Sequence, residues 1–571
     1  MTDKLNKPVA SNECQHISYH RPYWSENGKC SWVDIQLQHK SLNAEAKCIL
    51  PPTKAIPVIF IPGIMGTNLK NKMDQPIWRA DLMLGADTLS LVGLNGKKRR
   101  ELLNVDTTSV DDQGKIKPSA FTVYSDDGNL FPNREKRHWG EALYLSYGEF
   151  LDVFQTALID DWQRDIKRMT NPELAKQIDK TMNINGVLSK LQALNKKNDG
   201  SYETDFTEQE LSHFKHFLFP VHVFGYNWLV DNAISAAQLV DYIDEVINTY
   251  KYQHGHGLAI EKVIIVTHSM GGLIARYASQ VLGAKDKILG IIHGVIPDIG
   301  SPAAYRRMKT GAGKEGLPGL VLGKNAEELM SVLAFAPAPL QLLPSPKYPS
   351  NWLKFEGGES YPKIDPFEEI YLRNDVWWRL YESDILDKEM IVIQNNWDSY
   401  EEIIDNKVRK FMSKLDDGQY HSNTYVFYGQ KIESDNHLSW NPVKYKRELS
   451  MPEDALRRLP SVKNVRFEKQ SDGKTYIIPT GDVPHYYYKI DDDHVYELVS
   501  SSGKGDGTVP IQSLNEIKKY PLLKGWLVTD VAHQDAYEVS GLNPEKYSEA
   551  IKFTLQSIIK MVQEVDIRAA D

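Results

Sequence analysis

Cysteine is scarce in this chain, and no cysteine has the spacing of a metal ligand. The three cysteines among the 571 residues are Cys14, Cys30 and Cys48. Neither a C-x-x-C pair nor a Cys/His cluster with zinc-ligand spacing is present. A disulfide among them is one alternative, but we expect free thiols in a reducing cytosol. The acidic run at 491–494 also lacks a spacing that closes around a cation, so we expect a solvated loop there and no metal or other cofactor.

A long hydrophobic run is absent as well, which argues against a membrane-spanning helix. The longest uncharged stretch, 329–346, contains four prolines: Pro337, Pro339, Pro344 and Pro346. Prolines inside a helix remove hydrogen bonds and clash with the preceding turn. The segment Met1–Lys7 lacks the apolar part of a secretory signal. We therefore expect a soluble protein, cytoplasmic in the producing cell, that reaches a target cell's periplasm or host membranes only by a route without a cleaved leader.

Basic charge is not in excess, since the formal net charge is −9. This balance argues against binding to nucleic acid, or to anionic membranes through bulk charge. The one dense basic run is Lys97–Arg100, which we interpret as a solvated loop in preference to a lipid-phosphate site. Apolar residues make up 41% and charged residues 25% of the chain, as is typical of a soluble globular protein.

The stretch 263–272 reads V-I-I-V-T-H-S-M-G-G, a β-branched run that leads into a serine and two glycines. A strand, a tight turn, a serine and a helix are typical of the nucleophile elbow of α/β-hydrolases, so Ser269 is the predicted nucleophile. The sharp turn requires small residues two positions away, a need that Gly271 meets fully and Thr267 only partly. The alternative is a buried turn with an ordinary serine, but the flanking strand and helix favour the elbow. We expect the side chain of His268 to point away from the nucleophile.

An elbow serine needs a base and an acid, which in this fold follow in the order Ser, Asp or Glu, His. The turn G-D-G-T-V-P at 505–510 supplies Asp506, and His533 follows 27 positions later as the last histidine of the chain. Asp530 and Asp535 are rival acids because they lie closer to the histidine in sequence. Asp530, however, is expected to close the last strand, so Asp506 is the predicted acid and His533 the predicted base.

The chemistry also requires an oxyanion hole, built from backbone N–H groups directed at the developing negative charge. Met270, directly after the predicted nucleophile, supplies one donor. The other is expected from the early turn at 57–67, a short apolar strand that runs into glycines, where Ile64 is the predicted donor. The alternative for this second segment is an ordinary glycine-rich turn after a core strand.

Apolar strand patterns alternate with helical patterns along the chain, which predicts an α/β fold. In detail we predict an α/β-hydrolase core, a mostly parallel sheet with helices on both faces, which carries large cap insertions. The predicted strands lie at 57–61, 219–225, 262–267, 288–293, 423–429 and 525–530, and the clearest helix lies at 233–250.

The same pattern divides the chain into four parts. These are an N-terminal segment at 1–55; a core of 56–69, 216–302 and 421–571; an insertion at 70–215; and a cap or lid at 303–420. The insertion includes predicted helices at 144–161 and 173–194. The apolar cap residues either form a surface for acyl chains or the cap's own core, and the sequence leaves both open. They are Leu320, Leu322, Leu333, Phe335, Leu340, Leu342 and Leu343.

Together these motifs resemble the lecithin:cholesterol acyltransferase and GPI-inositol-deacylase-like branch of α/β-hydrolase lipases. The signatures are P-G-I-M-G-T at 62–67, G-Y-N-W at 225–228, T-H-S-M-G-G at 267–272, G-D-G-T-V-P at 505–510 and, more weakly, P-L-Q-L-L-P at 339–344. The resemblance implies a lipid acyl hydrolase. Within that branch, the chain length and the segment 293–302 are most similar to bacterial type VI secretion lipase effectors.

The resemblance implies serine-dependent hydrolysis of carboxylic esters in membrane glycerophospholipids, a phospholipase A type of activity without a cofactor. For an antibacterial or anti-host effector it also implies a cognate immunity protein and a component of the secretion apparatus as partners. Two alternatives stay open at this point. One is acyl transfer to an alcohol other than water, and the other is an inactive hydrolase fold that serves as a binding module.

Overall fold

The computed structural model describes the larger part of the chain. The described residues are 52, 54–79, 91, 93–116, 131–159, 188, 206–253, 257–313, 315, 323–386, 396–442, 495–539 and 546–570, with short strands at 16–20, 23–24, 30–31, 44–48, 447–448, 465–469, 475–479 and 487–489. The acidic run at 491–494 lies outside them, as does the predicted helix at 173–194 apart from residue 188.

Six parallel strands form the central sheet. They are β1 (Val58–Ile61), β2 (Val221–Val223), β3 (Val263–His268), β4 (Ile288–Gly294), β5 (Thr424–Gly429) and β6 (Gly525–Thr529). Their order across the sheet is β2-β1-β3-β4-β5-β6, and every neighbouring pair is parallel. The ends of each strand lie within two residues of the predicted ones. Continuous burial along β1, β3 and β4 is what a sheet covered on both faces requires.

Helices cover both faces of this sheet. The longest described ones are α1 (Tyr144–Ile159), α2 (Asn232–Asn248), α3 (Gly271–Gln280) and α4 (Glu549–Met561). Helix α2 packs on α3, whereas α4 packs on α1 and on the strands. Gly272 of α3 approaches His293 of β4, and Met561 of α4 approaches Gly290 of the same strand. Since positions three apart on a strand face opposite sides, α3 and α4 lie on opposite faces of the sheet.

The strand order brings the two predicted site turns together. After β1 the chain crosses to β2 on one side and then returns to β3 on the other side of β1. The carboxyl ends of β1 and β3 are therefore neighbours at a point where the strand order reverses, the usual ligand site of an open α/β sheet. The turn at 62–67 and the elbow at 267–272 follow these two strands directly.

A second, mixed sheet contains the strand that leads to Asp506. Its order is Ser360–Tyr361, Leu353–Phe355, Ile432–Pro442, Val495–Gly505 and Tyr487–Lys489. Strands from the predicted cap thus pair with strands from the predicted core range 421–571. The division into domains stays a proposal. Within the range 421–571, the second sheet takes the strands Ile432–Pro442, Tyr487–Lys489 and Val495–Gly505, whereas Arg447–Glu448, Val465–Lys469 and Thr475–Pro479 form a small sheet of their own.

The cap region has its own hydrophobic core. A second buried cluster, separate from that of the central sheet, includes Tyr305, Trp352 and Trp440. Leu340 and Leu343 belong to it and are fully buried, while Leu333, Phe335 and Leu342 are partly buried; Leu320 and Leu322 lie outside the described residues. These burials favour the cap's own core over an acyl-binding surface. No helix within the described ranges combines the length and apolar character needed to cross a bilayer.

The remaining described elements are short. The α-helices are Gly96–Leu102, Glu208–Phe214, Pro302–Thr310, Ala326–Leu333, Pro337–Leu340, Ser383–Leu386, Asn396–Ile403, Lys410–Leu415 and Ile511–Leu514. A small antiparallel sheet joins Pro76–Trp78, Leu69–Asn71 and Thr108–Val110. This sheet extends directly from the turn that follows β1.

The interpretation of Lys97–Arg100 as a solvated loop was wrong. These residues lie in the helix Gly96–Leu102, in which Lys97 and Lys98 are exposed but Arg99 is fully buried. The Arg99 guanidinium donates to the carbonyl oxygens of Leu91 and Leu94. A basic side chain can be buried when its donors are paired, and charge patterning along a sequence does not reveal such partners.

Candidate active site

The elbow at Ser269 has the strained backbone that its sequence predicts. Ser269 has φ 52°, in the left-handed region that non-glycine residues avoid, and its N–H donates to the Gly294 carbonyl at 2.9 Å. A Cβ at position 271 would lie 2.6 Å from the carbonyl oxygen of Pro62 and 2.7 Å from that of Ile61. Both contacts are with backbone, so the glycine two residues after the serine is required by packing as well as by the turn.

The three predicted triad residues meet at the carboxyl edge of the central sheet. His533 Nε2 lies 2.8 Å from Ser269 Oγ, and His533 Nδ1 lies 2.7 Å from Asp506 Oδ2. All three side chains are buried. Because a carboxylate only accepts, Nδ1 carries the proton and Nε2 is left to accept from the serine hydroxyl. This is the tautomer that a general base requires.

The acid is fixed in this position by its own loop. Asp506 Oδ1 accepts the N–H groups of Thr508 at 3.0 Å and Val509 at 2.7 Å, which leaves Oδ2 for the imidazole. The Asp506 carbonyl also accepts the N–H of His533 at 2.8 Å. Of the rival acids, Asp530 is exposed and pairs with Lys431, and Asp535 is exposed. The structure therefore brings only Asp506 of these three carboxylates to the imidazole.

Ser434 and Ser301 support the acid loop, and sequence reasoning missed both. Ser434 Oγ accepts the N–H of Gly507 at 2.8 Å, and Ser301 Oγ donates to the Thr508 carbonyl at 2.9 Å. Ser301 belongs to the segment 293–302 noted in the sequence, which was the only signal for this contact. Ser434 lies in a polar strand of the second sheet, where no local pattern marks it.

The predicted oxyanion turn lies against the elbow. A Cβ at Gly63 would lie 3.1 Å from Ser269 Cβ, so the two turns are in van der Waals contact. Within the described part of the chain, the N–H groups of Ile64 and Met270 have no hydrogen-bond acceptor. Both N–H groups thus remain available to an oxyanion formed beside Ser269.

Aromatic side chains hold the oxyanion turn through its carbonyl groups. Tyr226 Oη donates to Pro62 O at 3.0 Å, Trp228 Nε1 to Thr67 O at 3.3 Å, and Trp78 Nε1 to Met65 O at 2.8 Å. Two of these donors belong to the G-Y-N-W signature. The signature therefore has a physical role: together with Trp78, its two aromatic residues fix three carbonyls of the turn.

His268 is held by two groups other than the nucleophile. Its Nε2 lies 2.9 Å from the His533 carbonyl oxygen, and its Nδ1 lies 2.6 Å from Tyr147 Oη. Burial, with a smaller contribution from His533, lowers the pKa of His268 to about 3. The ring is therefore neutral and adds no charge beside the His533 imidazole. No feature of the sequence pointed to Tyr147, which lies 121 positions away from His268.

Among the described residues, no cluster of three or more histidine, cysteine or acidic side chains is arranged to hold a metal ion. The buried polar groups at the site are instead paired with one another and with backbone. The arrangement can activate a serine hydroxyl, stabilise an imidazolium and receive an oxyanion, which together are the requirements of acyl transfer through a covalent intermediate.

Comparison with known proteins finds a matching family and a similar solved structure. The sequence model of the lecithin:cholesterol acyltransferase family matches residues 221–521, which contain Ser269 and Asp506 but end before His533. No curated protein matches the chain. A chain in "The crystal structure of Tle4-Tli4 complex" is similar at a TM-score of 0.64 and 28% identity, over 90% of this chain and 100% of that chain. The resemblance predicted from the sequence and the α/β fold are thereby confirmed.

Proposed function

Since the chain belongs to the lecithin:cholesterol acyltransferase family, we propose that it is a serine-dependent lipase that hydrolyses carboxylic esters of membrane glycerophospholipids. Membership in this family makes it an enzyme of acyl-ester hydrolysis or transfer. The observation that carries the proposal is the continuous buried Asp506–His533–Ser269 hydrogen-bond chain, with distances of 2.7 and 2.8 Å.

In the proposed reaction, Ser269 attacks the acyl carbonyl while His533 Nε2 takes the hydroxyl proton. Asp506 holds the imidazole tautomer and stabilises the imidazolium. The N–H groups of Ile64 and Met270 receive the oxyanion; losing one such donor typically costs about 10²–10³-fold in rate. His533 then protonates the leaving alcohol, and water repeats the cycle on the acyl-serine.

Release of free fatty acid from mixed phospholipid vesicles tests this proposal. We expect fatty acid and lysophospholipid from the wild type, with the lysophospholipid mass identifying the ester cleaved, and no release from Ser269→Ala. Equal release by both proteins would contradict a serine mechanism. If neither the wild type nor Ser269→Ala released fatty acid and both retained full biological activity, a binding module would be indicated.

Acyl transfer is the second candidate, and the family's acyltransferase name favours it. The same acyl-serine would then be attacked by an alcohol in place of water. Vesicles supplied with a lipid alcohol distinguish the two outcomes, because hydrolysis yields free fatty acid whereas transfer yields a new ester at the expense of fatty acid.

The biological role we propose is that of an antibacterial or anti-host effector with a cognate immunity protein and a secretion-apparatus partner. Two findings support it: the sequence resemblance to type VI lipase effectors and the structural similarity to a chain of the Tle4–Tli4 complex. We expect toxicity when the chain is directed to the periplasm of a bacterium and none when it stays in the cytoplasm. Equal toxicity in both compartments, or toxicity of Ser269→Ala, would contradict this role.

A further inference from the structure

We propose that Tyr147 and His268 are positioning residues that hold the catalytic imidazole and the oxyanion turn in one fixed arrangement. Three hydrogen bonds form the connection. The N–H of Gly63 donates to Tyr147 Oη at 3.1 Å, Tyr147 Oη lies 2.6 Å from His268 Nδ1, and His268 Nε2 lies 2.9 Å from the His533 carbonyl oxygen. The inference rests on the proposed function, since it assigns support roles to the same site.

The direction of each hydrogen bond follows from the partners at the two ends. A carbonyl oxygen only accepts, so His268 Nε2 must carry the proton. The low pKa of His268 keeps the ring neutral, so Nδ1 is an acceptor and the Tyr147 hydroxyl must donate to it. Burial raises the pKa of Tyr147, which keeps the hydroxyl protonated. The tyrosine oxygen is then free to accept from the Gly63 N–H, and every donor along the connection has an acceptor.

The connection ends at the two groups whose placement the reaction needs most. At one end, Gly63 immediately precedes Ile64, the proposed oxyanion donor. At the other end, the restrained carbonyl belongs to His533 itself. A displacement of about 1 Å at such groups can cost about 10²-fold in rate. Tyr147 and His268 thus act on catalysis through other residues, without touching the substrate.

Packing leaves the two side chains little freedom to move. The Tyr147 ring makes an edge contact with Phe60 at 5.1 Å, and the His268 ring makes one with Tyr537 at 5.9 Å. Tyr147 and His268 are 5% and 4% exposed, so water does not replace a lost partner. Tyr147 comes from α1, within the predicted insertion at 70–215. This insertion therefore contributes directly to the support of the active site.

The chain offers a matched control in a second buried tyrosine–histidine pair. Tyr250 Oη lies 2.7 Å from His222 Nε2, and both residues are buried, as in the Tyr147–His268 pair. His222 lies on β2 at the edge of the central sheet, and the hydrogen bonds described for its ring are to Tyr250 and Tyr242, neither of which is a triad member. Tyr250→Phe therefore removes the same type of hydrogen bond without touching the site.

The test compares Tyr147→Phe and Tyr250→Phe by kcat and KM on a short-chain soluble ester, by the rate of organophosphonate labelling at Ser269, and by Tm. For Tyr147→Phe we expect kcat and labelling to fall about 10- to 100-fold with KM within about twofold. For Tyr250→Phe we expect a similar change in Tm and unchanged kcat. Equal effects of the two variants on kcat, or a Tyr147→Phe protein that loses only Tm, would overturn the inference.

Substitutions at His268 keep the test decisive if Tyr147→Phe does not fold. His268→Gln offers an amide N–H to the His533 carbonyl and an amide oxygen to Tyr147, whereas His268→Leu offers neither. We expect the kcat of His268→Gln to be at least tenfold higher than that of His268→Leu. Equal kcat values for the two variants would overturn the inference. Labelling needs no lipid, so a wrong substrate leaves the test intact. A wild type that does not label at Ser269 would overturn the proposed function, and the inference with it.

Discussion

Two sheets of different construction meet at the proposed active site. The central sheet is parallel and buried, and the turns after β1 and β3 supply the proposed oxyanion donors and the proposed nucleophile, Ser269. The mixed sheet supplies Asp506, one residue after its strand Val495–Gly505. The nucleophile therefore depends on tight backbone packing, whereas the acid depends on hydrogen bonds made by its own loop. The two sheets should respond differently to substitution.

The largest expected effect is that of Ser269→Ala on the central-sheet side. Loss of the nucleophile should lower kcat by about 10⁶-fold and leave Tm nearly unchanged, because the change removes one atom from a strained residue. An ester hydrolysis assay measures kcat, and thermal unfolding measures Tm. Ser279→Ala, a buried serine on the elbow helix, is the control and should retain kcat. Comparable losses in the two variants would mean that the elbow is only structural.

The next effect concerns the acid from the mixed sheet. Asp506→Asn preserves the shape of the side chain but favours the wrong imidazole tautomer, so kcat should fall by about 10⁴-fold. Asp530→Asn is the control, since Asp530 is exposed and pairs with Lys431. Steady-state kinetics on a soluble ester compares the kcat of the two variants and so decides whether Asp506 or Asp530 is the acid. A larger loss from Asp530→Asn would assign the acid to the end of the central sheet and remove the contrast between the sheets.

Gly271→Ala tests the backbone packing on which the central-sheet side depends. The new Cβ would meet the backbone oxygens of Pro62 and Ile61, which cannot rotate away, so we expect about 1–3 kcal/mol lower unfolding free energy. Gly272→Ala should cost less, because its nearest contact is the flexible end of the Ile296 side chain. Denaturant unfolding of both variants gives the comparison. If Gly271→Ala were as stable as wild type, close packing would not explain the elbow glycine.

The smallest expected effect is that of Ser434→Ala on the mixed-sheet side. It removes the partner of the Gly507 N–H. Because Gly507 is exposed, water can replace that partner, so we expect a cost of about 0.5–1.5 kcal/mol and a fall in kcat of up to about tenfold as the acid loop loosens. Ser439→Ala, on the same strand, is the control. Steady-state kinetics and denaturant unfolding give kcat and the unfolding free energy of both variants. If Ser434→Ala matched the wild type in both quantities, as Ser439→Ala should, hydrogen bonds would not hold the acid loop.

The parts of the site that sequence could predict are those with a local pattern. The elbow follows from the residues that surround Ser269, and the order of Asp506 and His533 follows from the chain order of the fold. Tyr147 and Ser434 were missed because each acts across a long sequence separation, and a lone tyrosine or serine carries no local signal. Arg99 was misread for a different reason: the Leu91 and Leu94 carbonyls are near it in sequence, but no residue pattern shows that the folded chain presents them to its guanidinium.

The most direct test of the central claim is to trap the acyl-enzyme. The wild type is mixed with phospholipid, quenched in acid within the first turnovers and digested for mass spectrometry. A serine lipase predicts a fatty acyl mass increment on the peptide that contains Ser269, and its accumulation should be far slower in Asp506→Asn. Release of fatty acid with the acyl group on another residue, or with no acylated peptide at any time, would contradict the account.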